Sequence, residues 1–428
     1  MATFDCPTDT PSQALLVMRS KTQQIVSVCG VVAGLFLSNP AAAAPANDKR
    51  TCANASGDAA IAACERAIAS RKFKGIDLAQ LYYNRGVEYA AKGECNPAIA
   101  DYNEAIRLDP KYVFAYNNRG DCYMRQGSNF RALEDYAKAI ELDPTYSQAY
   151  KNRGEAYENL GQLDRALEAY NEAVRIDPKY SRAYFNRGDI FWKKGDFDRA
   201  ISEYTESIRL EPKYADAFNR RGIAHLRKGE YERAITDQTE AIRFNPKHAK
   251  AFNDRCLAAT IVGRALQQAL ADCNESLRLD GNDTDALASR GLTYLKLGQL
   301  ADAIVDYDAA LKVAPNHASS LYGRAVVKLR QGDVEGGNAD IATATAIQAD
   351  IADKFARYGV APVAERAPGS ATPAQSAAKP AGDCARAETH WKSVEELKSL
   401  AAYEDHLARF PNCEFATLAR LRIDTLKR

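Results

Sequence analysis

Arg85, Arg119, Arg153, Arg187, Arg221, Arg255, Arg290 and Arg324 recur at intervals of 34 residues, with one interval of 35. A fixed period of this length marks small supersecondary units laid end to end, so the 428-residue chain cannot be divided by a typical domain size. Counted from Ala79, the units run 79–112, 113–146, 147–180, 181–214, 215–248, 249–283, 284–317 and 318–351, and the sixth holds one extra residue near Gln267. Each unit has two stretches with apolar residues three and four apart, the pattern of two amphipathic helices. In unit three these are Tyr150, Gly154 and Tyr157, then Ala166, Tyr170 and Ala173. Gly93, Gly127, Gly161, Gly195, Gly229, Gly263, Gly298 and Gly332 fall where the first helix must stop. Pro110, Pro144, Pro178, Pro212, Pro246 and Pro315 close the second. A lone hairpin leaves an apolar face uncovered and neighbours must hide it, so the expected fold is an all-α solenoid of helical hairpins. Gly154, inside a helix where glycine costs about 1 kcal/mol, then needs a reason to be there.

The spacing of Tyr116, Gly120, Tyr123, Ala132, Tyr136, Ala139 and Pro144, repeated in the neighbouring units, resembles the tetratricopeptide repeat family. The resemblance implies a right-handed superhelix of paired helices over residues 79–351. Departures gather toward the end: Cys256 and Ala325 replace Gly, Gly281 replaces Pro and Gly337 replaces Ala, which leaves open whether unit eight is a full repeat. Residues 57–70 match a second helix alone, and 47–78 is expected to be an N-terminal cap.

Arg153 lies a turn from Tyr150 and Tyr157, so its stem borders the packed face. On the second helix the residue before the buried aromatic is acidic in seven units: Asp101, Asp135, Glu203, Asp237, Asp272, Asp306 and Asp340. Unit three has Ala169 instead, beside Glu168. A structural ladder in which each arginine crosses to such an acid is expected, and removing one partner of a buried pair costs roughly 3–5 kcal/mol. The rival reading is a row of arginines facing an anionic ligand.

Arrays of this family commonly hold extended peptides or protein segments along a groove lined by their first helices. The resemblance places Phe114, Asn117, Asp121, Met124, Lys151, Glu155, Glu158, Arg182, Phe185, Asp189 and Trp192 on that stripe in units two to four. Phe185 and Trp192 are two turns apart with Asp189 between them. They read as exposed aromatic anchors in an acidic register, suited to a segment with apolar and basic side chains, or as ordinary packing on a neighbour. The family's clamp for C-terminal carboxylates finds matches in Lys151, Asn186 and Arg220, but Glu155 and Asp216 oppose an anion. In units five to eight the stripe turns apolar, through Ile223, Leu226, Leu257, Thr260, Leu292, Leu295, Val326 and Leu329. Such a surface needs a cover: the segment after 340, a second copy of the chain, or a partner.

The first 46 residues read as a secretory signal: Arg19 and Lys21, an apolar run from Ile25 to Leu37, then small residues with cleavage after Ala43 or Ala46. A true start at Met18 fits that reading. The run is too short to span a bilayer comfortably, and no second membrane segment follows it. An exported chain would keep eight cysteines, for which the repeat frame suggests Cys95–Cys122 and Cys256–Cys273, with Cys52–Cys64 and Cys384–Cys413 as the local pairs that remain. An Ala/Pro-rich linker spans 358–382. Residues 383–428 follow as two short helices that resemble a module appended to bacterial envelope and caspase-like proteins.

Lys plus Arg is 57 and Asp plus Glu 56, so no whole-chain attraction to nucleic acid is expected. His225, His248, His317, His390 and His406 are scattered without metal spacing and are expected to be solvated on helix surfaces. Residues 280–285 mimic a calcium loop but lack its Gly and closing Glu. No nucleotide, hydrolase or cofactor motif appears. The expectation is a noncatalytic periplasmic or secreted scaffold that binds a protein or peptide segment. The alternative is a docking or regulatory subunit of an envelope enzyme such as a peptidoglycan hydrolase or peptidase.

Overall fold

The computed structural model describes residues 45–361, 391, 394, 399–409 and 416–426, and among these residues there are helices and no strand. Two compact units divide the chain, one up to Glu365 and one from Arg366. The first opens with a hairpin, α1 (Pro45–Asn54) and α2 (Asp58–Ala69). Eight further hairpins follow: α3 (Gly75–Ala91) with α4 (Cys95–Leu108), α5 (Val113–Arg125) with α6 (Asn129–Leu142), α7 (Ser147–Asn159) with α8 (Leu163–Ile176), and α9 (Ser181–Lys193) with α10 (Phe197–Leu210). The row continues with α11 (Ala215–Arg227) and α12 (Tyr231–Phe244), α13 (Ala249–Val262) and α14 (Leu266–Leu279), α15 (Thr284–Lys296) and α16 (Leu300–Val313), and α17 (Ala318–Arg330) and α18 (Val334–Ile347). A short helix, α19 (Ile351–Arg357), ends it.

Each helix packs on the one before it and the one after it, and first helices of successive units also touch, as in α5–α7, α11–α13 and α15–α17. The stacking follows from the small residues. In unit three a Cβ on Gly154 would lie 2.5 Å from Cε1 and 2.7 Å from Cδ1 of Tyr170, so the absence of a side chain lets that ring lie against the first helix. Tyr102, Tyr136, Tyr170, Tyr204 and Tyr307 hold this place and are fully buried. Unit five puts Gln238 there, buried and bonded to Asn219. Unit six replaces the ring-on-glycine contact with a disulfide, Cys256–Cys273, across its two helices. The hairpin turns end in left-handed glycines such as Gly161 (φ 71°), and the extra residue of unit six is absorbed at Arg264–Ala265, where Ala265 itself takes φ 50°. Unit eight folds as a hairpin despite Ala325 and Gly337.

Several expectations are corrected. The N-terminal cap is a full hairpin rather than a second helix alone, because Cys52 of α1 is bridged to Cys64, which stands in the aromatic place of α2, and Arg66 reaches back to Asp48 at 2.8 Å. The linker does not begin at 358: Tyr358 packs on the core and Val360 is buried in it. Cys95 and Cys122 lie together as buried thiols without a bridge. Burial and the neighbouring Cys95 thiol push the Cys122 thiol far up, away from the thiolate that disulfide formation needs. The histidines are not all solvated, since His225 and His406 are buried, His225 against Glu230 at 2.7 Å and His406 edge-on to Trp391.

In the second unit α20 (Leu400–Arg409) and α21 (Ala416–Leu426) pack together around Trp391, Val394, Tyr403, Ala419 and Ile423. The signal-sequence reading, His390, and Cys384 with Cys413 lie outside the described residues.

Candidate functional site

The periodic arginines come first because they set the register of the array. Arg85, Arg119, Arg187, Arg221, Arg290 and Arg324 each donate from Nε and Nη2 to the two oxygens of the acid 16 residues on, respectively Asp101, Asp135, Glu203, Asp237, Asp306 and Asp340, at 2.6–2.9 Å. Arg255 does the same to Asp272, 17 residues on, both bonds 2.7 Å. Nη1 then reaches the preceding unit, 16 residues back, to Asn103 from Arg119, Asn171 from Arg187, Thr205 from Arg221, Thr239 from Arg255, Asn274 from Arg290 and Asp308 from Arg324. One guanidinium thus ties three helices of two units, which a lysine ammonium could not do with the same fixed fork. Arg153 is the exception. Both its places are alanine, Ala169 ahead and Ala137 behind, and its buried Nε has no hydrogen-bond partner. Its guanidinium lies 5.0 Å from the ring of Tyr150.

On the groove side, first helices α5, α7 and α9 bring Asp121, Met124, Lys151, Glu155, Arg182 and Phe185 around a cavity of about 280 Å³. Gln148, Asn152, Asn186, Arg125 and Tyr214 complete its wall. Phe114, Asn117, Glu158, Asp189 and Trp192 stand outside it. Phe114 is 48% exposed and meets Tyr146 edge-on at 5.3 Å, while Asn117 is fully buried and accepts from Asn152 at 3.0 Å.

The acidic register is not free for a ligand. Asp121 accepts from the Tyr136 hydroxyl at 2.7 Å and from Asn152 at 2.8 Å. Glu155 binds Lys151 at 2.8 Å and Asn186 at 2.7 Å. Glu158 takes the Tyr170 hydroxyl at 3.0 Å and Lys193 at 2.5 Å, and Asp189 takes the Tyr204 hydroxyl at 2.5 Å with Arg220 at 3.5 Å. Burial pushes the Asp121 carboxyl up to about 6 and raises that of Asp189 as well. Burial would lower the Lys151 ammonium, but the charge and hydrogen bond of Glu155, with the charges of Tyr180 and Asp121, together outweigh it and lift the group to about 12. The three clamp-like residues are therefore engaged within the groove wall, Lys151 and Asn186 by Glu155 and Arg220 by Asp189.

Phe185 and Trp192 both pack on neighbouring rings, as the second of the two readings has it. Phe185 is half-buried between Tyr204 and Tyr214, with ring centroids 5.8 and 5.0 Å away. Trp192 is half-buried in the cluster with Phe191 and Phe185, and its buried indole Nε1 has no hydrogen-bond partner. What the groove offers instead is Arg182, exposed over the ring of Tyr214 at 5.8 Å, beside Gln148 and Arg125. Tyr214 is a wall residue that the stripe positions miss, although Tyr112, Tyr146, Tyr180 and Tyr214 share the 34-residue spacing and so carry a signal.

Farther along, the chain covers its own apolar stripe. Leu292, Leu295 and Val326 share one core with Ile351, Phe355 and Val360, and Leu257 packs on its edge. Of the three candidate covers for that stripe, the segment after 340 is the one in place. The mimic of a calcium loop has another use: Asp283 caps α15, accepting from the backbone N–H groups of Asp285 and Ala286. Among the described residues no group of His, Cys, Asp and Glu is arranged to hold a metal, and no helix is long and apolar enough to cross a membrane.

Family models described as TPR repeat match residues 86–127 and 159–195, and others described as tetratricopeptide repeat match 113–146, 136–168, 185–249 and 284–317. No curated protein matches the chain. Among solved structures, MamA is 28% identical over 39% of this chain and 96% of its own, with a TM-score of 0.35. YrrB, described as a TPR protein with an unusual peptide-binding site, is 22% identical over 45% of this chain and 98% of its own, with a TM-score of 0.39. A tetratricopeptide repeat protein from Parabacteroides merdae is 18% identical over 62% of this chain and 98% of its own, with a TM-score of 0.44. Repeat spacing, ring-on-glycine packing, consecutive helical hairpins and family models agree, and the chain is a tetratricopeptide repeat protein.

Proposed function

We propose that the chain is a noncatalytic interaction scaffold that holds an extended protein segment along the first helices of units two to four, in the periplasm or outside the cell. The observation that carries this reading is the cavity between α5, α7 and α9. It opens on a wall whose carboxylates are already bonded, while Arg182 and Arg125 stay exposed beside apolar Met124 and Phe185. Such a wall suits a segment with apolar side chains and an acidic one, the reverse of the basic segment that the carboxylates suggest when read from the sequence alone.

The test is a photo-crosslinking residue at position 124 in the native host, with exposed Glu134 on the second helix α6 as the control position. Recovery of one defined segment from position 124, absent from position 134 and lost in Arg182→Glu, is expected. Equal labelling from both positions would remove the groove from consideration. N-terminal sequencing of the chain from fractionated cells tests the location: a mature start at Ala44 or Asn47 in the exported fraction is expected, and an intact apolar run 25–37 there would refute cleavage.

A further inference from the structure

A second cavity, of about 170 Å³, lies away from the groove just described, between α11, α13, α15 and α17 and beneath α19. Its apolar wall is made by Leu257, Leu292 and Phe355. Its two poles carry opposite charge. At one stands Asp254, which accepts a hydrogen bond from Asn219 at 3.0 Å. At the other stands Lys354, which donates to the Ser319 hydroxyl at 2.8 Å, with Arg227 beside it. Asp254 and Lys354 line one space, each bonded to a different neutral side chain.

Asp285 also lines the cavity, bonded to His317 at 3.3 Å, and its charge offsets part of that of Lys354 and Arg227, so the protein compensates these polar groups only in part. Burial, helped by the charges of Asp285 and Asp283, pushes the Asp254 carboxyl up to about 6. Burial and the positive charge of Arg227 push the Lys354 ammonium down. Asn253, only 6% exposed and on the cavity wall, has a buried Oδ1 with no hydrogen-bond partner. An unmet buried acceptor is costly, so the position calls for an N–H donor. A cavity of about 150 Å³ holds benzene with space around it, so this one, at about 170 Å³, has room for a molecule somewhat larger than benzene.

We propose that this cavity binds a free α-amino acid with an apolar side chain, its ammonium toward Asp254 and Asn253, its carboxylate toward Lys354 and Arg227, and its side chain on Leu257, Leu292 and Phe355. A zwitterion neutralises both poles at once. An amine or a carboxylate alone would neutralise one and leave the other desolvated, and water would leave the apolar wall wet.

Calorimetric titration of the full chain with L-leucine, L-isoleucine and L-phenylalanine tests this, because analogues lacking one pole require no mutation. Saturable binding of at least one amino acid is expected, with 3-methylbutylamine and 4-methylpentanoate each weaker than leucine by about tenfold or more. Asp254→Asn should erase the advantage of leucine over 4-methylpentanoate, and Lys354→Met its advantage over 3-methylbutylamine. Ala288→Leu, which fills the space, should abolish binding while the chain still melts cooperatively. Absence of saturable heat with all three amino acids, single-pole analogues binding as well as leucine, or leucylglycine binding as tightly as leucine would each overturn the assignment.

Discussion

Gly154 is paired with Tyr170 more closely than with its own helix. Alanine there would gain about 1 kcal/mol in helix propensity, but its Cβ would meet three atoms of a fully buried ring at 2.5–2.8 Å. Overpacking costs about 1–3 kcal/mol, so Gly154→Ala should lower the urea midpoint of unfolding, and a raised midpoint would mean the ring moves aside at no cost. Arg153 gives the converse prediction. Ala169→Asp restores the carboxylate that seven units use and should stabilise the chain by about 1 kcal/mol through the new charge-assisted hydrogen bonds. The gain must vanish in the Arg153→Leu, Ala169→Asp double variant if the pair carries it. The bond to the acid ahead is legible in the sequence because both residues keep the 34-residue spacing. The reach of Nη1 to Asn103, Thr205 or Asp308 is not, since it depends on how neighbouring units register. Phe185 and Trp192 leave two readings open for a related reason: a stripe position tells which way a helix faces, whereas the burial of Phe185 is decided by Tyr204 on the second helix and Tyr214 at the end of the same unit.

At the scale of elements, α19 behaves as a plug. Seven residues without repeat spacing cannot be recognised as part of the array, yet Ile351 and Phe355 are buried at 0% and 2% exposure, and Phe355 faces Tyr322 with ring centroids 4.7 Å apart. The need for a cover is readable in the apolar stripe of units five to eight; its identity is not, because tertiary contact alone selects among the candidates. Phe355→Ala should cost about 3–5 kcal/mol as a large buried ring is lost, which a denaturant titration would read. A chain ending at Gln348 should bind a hydrophobic dye strongly, through Leu292, Leu295 and Val326. Weak dye binding by that truncated chain would show that the stripe closes on itself. The hairpin bridged by Cys52 and Cys64 plays the matching part at the other end, where a core of five buried residues is held by a covalent tie as well as by packing.

In the whole molecule, stability is approximately a sum of unit and interface terms, so charges buried along the groove add across units. Asp121 and Asp254 both have carboxyls raised by burial to about 6. An acid whose folded pKa lies above its unfolded value binds more protons in the native state between the two. Stability from these groups therefore rises as pH falls through about 6 and levels off near the unfolded value of about 4. Below that, the sign reverses through the depressed carboxyls. Glu230 is held near 2 by Lys228 and His225, and Asp216 and Asp285 are lowered by their bonds to His248 and His317, so all three lose stabilisation as they are protonated. A maximum near pH 5 follows. Asp121 and Asp254 should each account for about 1 kcal/mol between pH 7 and pH 5, because one proton taken up on folding is worth about 1.4 kcal/mol per pH unit and each group is on average half protonated across that window. Denaturant titrations at pH 5 and 7 would check this. The Asp121→Asn, Asp254→Asn variant keeps an acceptor for Tyr136 and Asn219 but cannot ionise, so its stability should change far less across that window. If wild type and variant keep the same slope, the buried carboxylates are not what sets the pH response of the array.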